Sequence, residues 1–143
     1  MNTADRIDAY IASQPERKRA DLLALHHVLL AASPGCRLWF LDGTDAQGKT
    51  VSNANIGYGE REMRHANGDS REFHRVGLSA NTAGISVHII GLDDKTYLAR
   101  TYGPGIGQAK VTGYCIKFKQ LADIDMTLLE AAVRDGLEAS DRT

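Results

Sequence analysis

The segment KVTGYCIKFKQLADID, which runs from Lys110 to Asp125, carries the side chains best suited to binding or catalysis. Read with a period of two, its first half predicts a strand with one polar and one apolar face. The polar face holds Cys115, Lys117 and Lys119, and aromatic and aliphatic residues alternate with them on the other face. This polar face is either a reactive or binding surface or the solvated side of a strand.

Lysine ammonium groups that lie close together bind phosphates and carboxylates through charge-assisted hydrogen bonds. Lys110, Lys117 and Lys119 are the candidates for such a site, and Arg75 could add a guanidinium group. Residues 95–122 hold five basic residues and no acidic one, so positive charge is concentrated in this part of the chain. We therefore expect a small anionic ligand, carrying a phosphate or a carboxylate, to bind in a cleft near the last strand. The alternative is that these lysines lie on a solvated surface.

Two further features could complete this cleft. Tyr58 and Tyr114 are predicted to form its apolar walls. The loop GPGIGQ, residues 103–108, could direct backbone N–H groups at an anion. Its glycines do not have the spacing of a dinucleotide-binding loop, and a strand rather than a helix follows it. The alternative for this segment is a flexible surface loop.

Cys115 is a candidate nucleophile, because neighbouring ammonium groups favour the thiolate. A thiol-dependent enzyme also needs a general base and an oxyanion pocket, and the sequence does not show that any histidine reaches Cys115. The alternative is a small buried residue between sheet and helix, which is common for a free cysteine. We therefore predict that the protein binds a ligand, with Cys115 near the site, and keep thiol catalysis as a less favoured hypothesis.

The histidines do not have the close spacing of a dedicated zinc site. One of them, His26, lies one helical turn from the apolar positions of the second predicted helix. Isolated, hydrogen-bonded histidines are the expected outcome. The histidines are His26, His27, His65, His74 and His88.

The hydrophobic pattern divides the chain into helices at both ends and short strands between them. A capping box at 13–16 is predicted to begin the second helix, and Asp125 or Thr127 to begin the last one. The predicted helices are 3–13, 16–32, a short one at 93–101, and one that follows Asp125. The predicted strands are 36–41, 53–64, 71–79 with an Asn67-Gly68 turn before it, 85–90, and the strand that contains Cys115.

This order predicts an α+β fold in a single domain over residues 1–143. Two N-terminal helices precede a twisted antiparallel sheet of about five strands, with a short helix before the last strand. The C-terminal helix packs on one face of the sheet. An exposed edge strand could pair two copies, so a homodimer is compatible with the sequence.

The composition excludes several classes of protein. The chain has 17 basic and 18 acidic residues, so it lacks the basic surplus of a nucleic-acid-binding domain. No apolar run approaches the roughly 18 residues of a membrane span. The start lacks a signal region, and Cys36 and Cys115 are too few for a disulfide framework. We expect a soluble, cytoplasmic protein without nucleic-acid or membrane partners.

Several motifs together resemble the YdhG-like family (domain of unknown function 1801). They are Ile56-Gly57-Tyr58-Gly59, Asn67-Gly68, Phe73, Gly77, Ser79, Lys110, Cys115-Ile116-Lys117-Phe118-Lys119 and Leu121-Ala122-Asp123-Ile124-Asp125. The resemblance implies a small bacterial α+β domain with a helix pair before the sheet and a closing helix. Gln108 and Gly113 stand where relatives often have lysines, and Lys117 replaces a common aromatic residue.

Some members of that family are described as frataxin-like, which implies iron binding or iron delivery as an alternative function. The carboxylates of Asp123, Asp125 and Glu130 would then be the candidate iron ligands, because weak iron sites use hard oxygen donors. Acidic residues at the start of a helix are also expected for another reason, since they cap the helix and complement its dipole. No cofactor is required by the anion-binding hypothesis.

Overall fold

Helices at both ends of the chain flank a block of short strands, as the hydrophobic pattern predicts. The computed structural model describes residues 2–51, 53–64, 68, 70–81, 84–90, 92 and 94–138. The helices are α1 (Thr3–Ala12), α2 (Glu16–Ala32), α3 (Tyr97–Thr101) and α4 (Met126–Glu138), with a 3₁₀ turn at Leu121–Asp123. The strands are β1 (Leu38–Leu41), β2 (Asn55–Tyr58), β3 (Arg61–Arg64), β4 (Ser70–Phe73), β5 (Val76–Asn81), β6 (Gly84–Ile89), β7 (Lys110–Thr112) and β8 (Cys115–Phe118). The predicted α+β fold class is confirmed.

Within the described residues, six strands form one antiparallel sheet in the order β1-β2-β5-β6-β8-β7. Strands β3 and β4 pair separately as an antiparallel hairpin, with Arg61 opposite Phe73. The sheet therefore has β1 and β7 at its two edges. The Asn67 position of the predicted hairpin turn lies outside the described residues.

One face of the sheet is apolar and packs against α1, α2 and α4. Successive side chains of a strand point to opposite faces, so every second residue is directed at the helices. The buried residues of this face are Ile56, Tyr58, Val76, Leu78, Ala80, Ile85, Val87, Ile89, Ile116 and Phe118. They meet a helical layer formed by Ile7, Ile11, Leu22, Leu25, Leu29, Leu129 and Val133. The predicted facing of β8 is confirmed by this burial pattern.

The opposite face carries polar side chains. Ser79, Ser86, Lys117 and Lys110 are successive register partners across β5, β6, β8 and β7. Both serines are buried, whereas both lysines are exposed. Polarity and exposure on this face therefore increase towards the β7 edge.

The starts of the helices differ from one of the sequence predictions. The capping box predicted at 13–16 is wrong, because the Ser13 hydroxyl donates to the Tyr10 carbonyl at 2.6 Å and Pro15 precedes α2 without a side-chain cap. Ser13 instead ends α1. At α4 the Asp125 carboxylate accepts from the backbone N–H groups of Thr127 and Leu128, at 2.9 and 3.2 Å. Asp125 rather than Thr127 therefore caps α4.

Three predicted strands divide in the structure, and the first of them, at 53–64, gives β2 and β3. The segment that contains Cys115 is a hairpin, since β7 and β8 pair around a turn at Gly113, whose φ of 52° favours glycine. The segment predicted at 71–79 breaks at His74 and Arg75 between β4 and β5. The main sheet consequently has six described strands rather than about five. No helix in the described part of the chain combines the length and hydrophobicity needed to cross a bilayer.

Candidate anion-binding cleft

An open cleft lies where β5 ends, β6 and β7 begin and β8 ends. Its volume is about 480 Å³, within the range of roughly 300–1,000 Å³ typical of small-molecule pockets. It is lined by Asn81, Gly84, Ile85, Gln108, Ala109, Lys110, Lys117, Phe118, Lys119 and Asp123. We call this set the lysine cleft.

The hairpin β7–β8 positions the lysines of the cleft. Lys110 and Lys117 are direct register partners, so their side chains leave the sheet on the same side. Lys119 follows β8 two residues after Lys117, and it also lines the cleft. All three side chains are exposed, and no ion pair among the described residues involves them. The cleft therefore collects positive charge that the described part of the protein does not neutralise by direct pairing.

The remaining lining residues add polar and apolar groups. Gln108 and Asn81 contribute amides, and Lys18 of α2 donates from Nζ to the Asn81 carbonyl at 2.6 Å. Ile85 and Phe118 are register partners that contribute apolar atoms next to the strand ends. A small ligand in the cleft would thus meet ammonium, amide and apolar groups.

The loop at 103–108 uses its backbone N–H groups inside the fold. The N–H groups of Gly105 and Ile106 donate to the Tyr102 carbonyl at 3.1 and 3.0 Å. The Gln108 N–H donates to the Asp123 carbonyl at 2.9 Å. These donors are occupied, so the idea that they would point at an anion is corrected. The loop contributes the Gln108 side chain instead.

Tyr58 does not line the lysine cleft, which corrects its predicted place in the cleft wall. It alternates with Gly57 on β2, so its side chain points to the helices, where it is 0% exposed. Its hydroxyl lies 2.6 Å from Nδ1 of His26 on α2. Burial raises the pKa of the Tyr58 hydroxyl and lowers the pKa of His26. This pair is a buried hydrogen bond between helix and sheet.

Tyr114 and Arg75 lie at the opposite end of the sheet from the lysine cleft. The Tyr114 carbonyl accepts from the Ile89 N–H at 2.6 Å. Arg75 donates from Nε to the Glu60 carbonyl at 2.9 Å and from its guanidinium to the Gly136 carbonyl at 3.4 Å. Neither residue lines the cleft, so their predicted roles in binding the same ligand are corrected.

Cys115 begins β8 on the same face as Lys117 but outside the lining of the cleft. Burial raises the pKa of the Cys115 thiol, and the lowering effects of the Lys117 charge and of a hydrogen bond with Ser86 are smaller. The thiol form is therefore favoured, which is the opposite of what a cysteine nucleophile needs. His88 is its register partner on β6. Burial lowers the pKa of His88, and the Lys117 charge lowers it further.

His74 is buried on the polar face of the sheet, against Gly57 and Gly77. A Cβ added to Gly57 would lie 2.7 Å from atoms of the His74 ring. Burial lowers the pKa of His74 to about 4, and the nearby His88 adds to this effect, while the Val76 backbone opposes it. Nδ1 of His74 is buried without a hydrogen-bond partner among the described residues. His65 lies outside the described residues.

The carboxylates considered as iron ligands have separate surroundings. Asp125 caps α4, and Glu130 forms an ion pair with Arg134 at 2.9 Å. Asp123 lines the lysine cleft. Within the described part of the chain, no group of three or more histidine, cysteine, aspartate or glutamate side chains could hold a metal ion.

The side chains of two polar residues of the cleft, Asn81 and Gln108, were not predicted from the sequence to bind the ligand. Asn81 stands beside a predicted turn, and Gln108 was noted as the last residue of the loop at 103–108 and as a position where relatives often have lysine. Their place in the cleft follows from the pairing of β5 with β6 and from the contact of Gln108 with the Asp123 backbone. Neither contact has a local sequence signal.

Comparison with known proteins gives no family assignment. Searches against family models, curated proteins and solved structures found no match to this chain.

Proposed function

We propose that the protein binds a small anionic ligand, carrying a phosphate or a carboxylate, in the lysine cleft. The observation that carries this proposal is the convergence of Lys110, Lys117 and Lys119 on one concave surface without an ion pair among the described residues. Ammonium groups in a concave site form charge-assisted hydrogen bonds to such oxygens.

The register of the hairpin gives a physical reason for an anion. Lys110 lies directly opposite Lys117, and like charges in that arrangement destabilise a sheet by up to about 1 kcal/mol. An anion between the two ammonium groups removes this repulsion and adds favourable hydrogen bonds. Binding should therefore stabilise the folded protein.

The proposal is tested by thermal unfolding in sodium phosphate and in sodium chloride of equal ionic strength. Phosphate at ten times its dissociation constant should stabilise the folded state by about 1.4 kcal/mol. For a domain of this size that raises Tm by about 5 °C. The Lys110→Ala/Lys119→Ala double variant should lose this saturable increase, because two of the three ammonium groups are gone.

The control is the Lys49→Ala/Lys95→Ala double variant. Both lysines are exposed and lie outside the lining of the cleft. Each double variant removes two positive charges, so the net charge changes by the same amount in both. Phosphate also stabilises proteins generally through exclusion from their surface, and that part should be the same in all three proteins. If both double variants keep the full wild-type increase, the proposal is wrong.

A further inference from the structure

Asp123 is unusual among the residues of the lysine cleft because it is acidic. It lines the cleft together with Lys110, Lys117 and Lys119. Nevertheless, it forms no ion pair with any of them in the described part of the chain. Opposite charges thus share one concave surface without a direct ion pair between them among the described residues.

The backbone fixes Asp123 in this position. Its N–H donates to the Gln120 carbonyl at 3.1 Å, and its carbonyl accepts from the Gln108 N–H at 2.9 Å. Gly107 and Ile124 form an isolated β-bridge beside it. Asp123 therefore lies in a folded segment, and these contacts fix the backbone from which its carboxylate extends.

The side chain of Asp123 has capacity left to accept hydrogen bonds. Its Oδ1 accepts from Nε2 of Gln120 at 3.3 Å, and no hydrogen bond to Oδ2 occurs among the described residues. An ionised carboxylate has about four acceptor sites on its two oxygens. A purely anionic ligand would be repelled by this group, whereas a ligand that also carries a positive charge would be attracted to it.

We propose that the ligand of the lysine cleft is a small zwitterion, with a phosphate or carboxylate on the lysines and a protonated amine on Asp123. This inference rests on the proposed anion binding at the same cleft. It adds the requirement for an amine, and it assigns Asp123 as the residue that selects for it.

The test compares the affinities of O-phosphoethanolamine and ethyl phosphate, measured by calorimetry at constant ionic strength and neutral pH. The two molecules share a phosphate and a two-carbon chain, and they differ in the amine. Wild-type protein should bind O-phosphoethanolamine about fivefold more tightly, which is the upper range for a solvent-accessible ion pair. O-phosphoethanolamine has a smaller net negative charge than ethyl phosphate, so attraction to the lysines alone would favour ethyl phosphate.

The Asp123→Asn variant should lose this preference. Asparagine keeps an oxygen that accepts from Gln120, and it replaces the other carboxylate oxygen with an NH₂ group, which removes the negative charge. Ethyl phosphate should bind to this variant at least as tightly as to wild type, because the repulsion is gone. Asp8→Asn, on an exposed position of α1, is the matched control and should keep the wild-type preference.

Equal affinities of the two phosphates in wild-type protein would overturn the zwitterion inference while leaving anion binding intact. The inference would also be overturned if 2-hydroxyethyl phosphate bound as tightly as O-phosphoethanolamine, since Asp123 would then accept a hydrogen bond from a hydroxyl rather than select an amine. If wild type binds none of these phosphates, the underlying proposal of anion binding fails instead. The comparison of ligand affinities in wild-type protein tests the zwitterion inference even if the Asp123→Asn variant does not fold.

Discussion

At the scale of single residues, Lys110 and Lys117 carry the functional argument. The register of β7 and β8 puts them directly opposite each other, and this arrangement costs stability unless an anion lies between them. Polar groups retained at a cost to stability are typical of functional sites. The exposure of both side chains keeps the cost small and leaves the ammonium groups accessible to a ligand.

His74 is the residue whose ionisation should most affect stability. Burial lowers its folded-state pKa to about 4, whereas the unfolded chain has a histidine pKa of about 6.5. Between these two values the unfolded state binds a proton that the folded state does not. Stability should therefore fall as the pH falls from about 6.5 towards 4.

We expect His74 to contribute a loss of about 2 kcal/mol in the free energy of unfolding between pH 7 and pH 5. Urea unfolding at both pH values measures this loss. His26 and His88, whose pKa values are also lowered by burial, act in the same direction. The comparison with a His74→Phe variant isolates the contribution of His74.

The His74→Phe variant should lose about 2 kcal/mol less between the two pH values than wild type does. His27→Gln is the comparison at an exposed position, and it should keep most of the wild-type difference, because it removes only the effect of the His27 charge on the pKa of His26, which is smaller than that of burial. An identical pH dependence in wild type and His74→Phe would contradict the assignment to His74.

At the scale of elements, the start of α4 tests which residue caps the helix. The sequence offers Asp125 and Thr127, and in the structure Asp125 accepts from two backbone N–H groups. Asp125→Ala should lower the free energy of unfolding by about 1 kcal/mol, because two N–H groups lose their acceptor. Thr127→Ala should change it by less than about 0.5 kcal/mol. Urea denaturation checks both, and a larger loss for Thr127→Ala would contradict the assignment.

The alternation of residues was a sound guide to the faces of individual strands. It predicted that Cys115 and Lys117 share the polar face of β8, and that Ile116 and Phe118 are buried. It could not reveal that Lys110 belongs to a separate strand, because a three-residue strand has too few positions to show a period. The glycine turn at Gly113 carried that information.

The predicted place of Tyr58 in the cleft wall is wrong because of the strand that carries it. Tyr58 is predicted from the sequence to lie in the wall of the cleft that holds the lysines, but alternation on β2 directs its side chain to the helical face. Its partner, His26, lies 32 positions earlier in the chain. Only the assembled layers bring these two side chains together, so no local pattern could identify the pair.

At the scale of the whole molecule, the site depends on the strand order β5-β6-β8-β7. This order brings Asn81, Lys110, Lys117 and Asp123, which come from separate segments, to one end of the sheet. The same order leaves Arg75 and Tyr114 at the other end. Helix and strand types follow from local patterns, but the meeting of strand ends depends on long-range pairing, which a single sequence does not encode visibly.

The most direct test of the account is a phosphate titration of ¹⁵N-labelled protein followed by amide chemical shifts, with chloride at equal ionic strength as reference. Anion binding in the lysine cleft predicts saturable shift changes that are largest at 108–110, at 117–119 and at Asp123. Changes of similar size around Lys49 and Lys95, or changes that never saturate, would contradict a specific cleft.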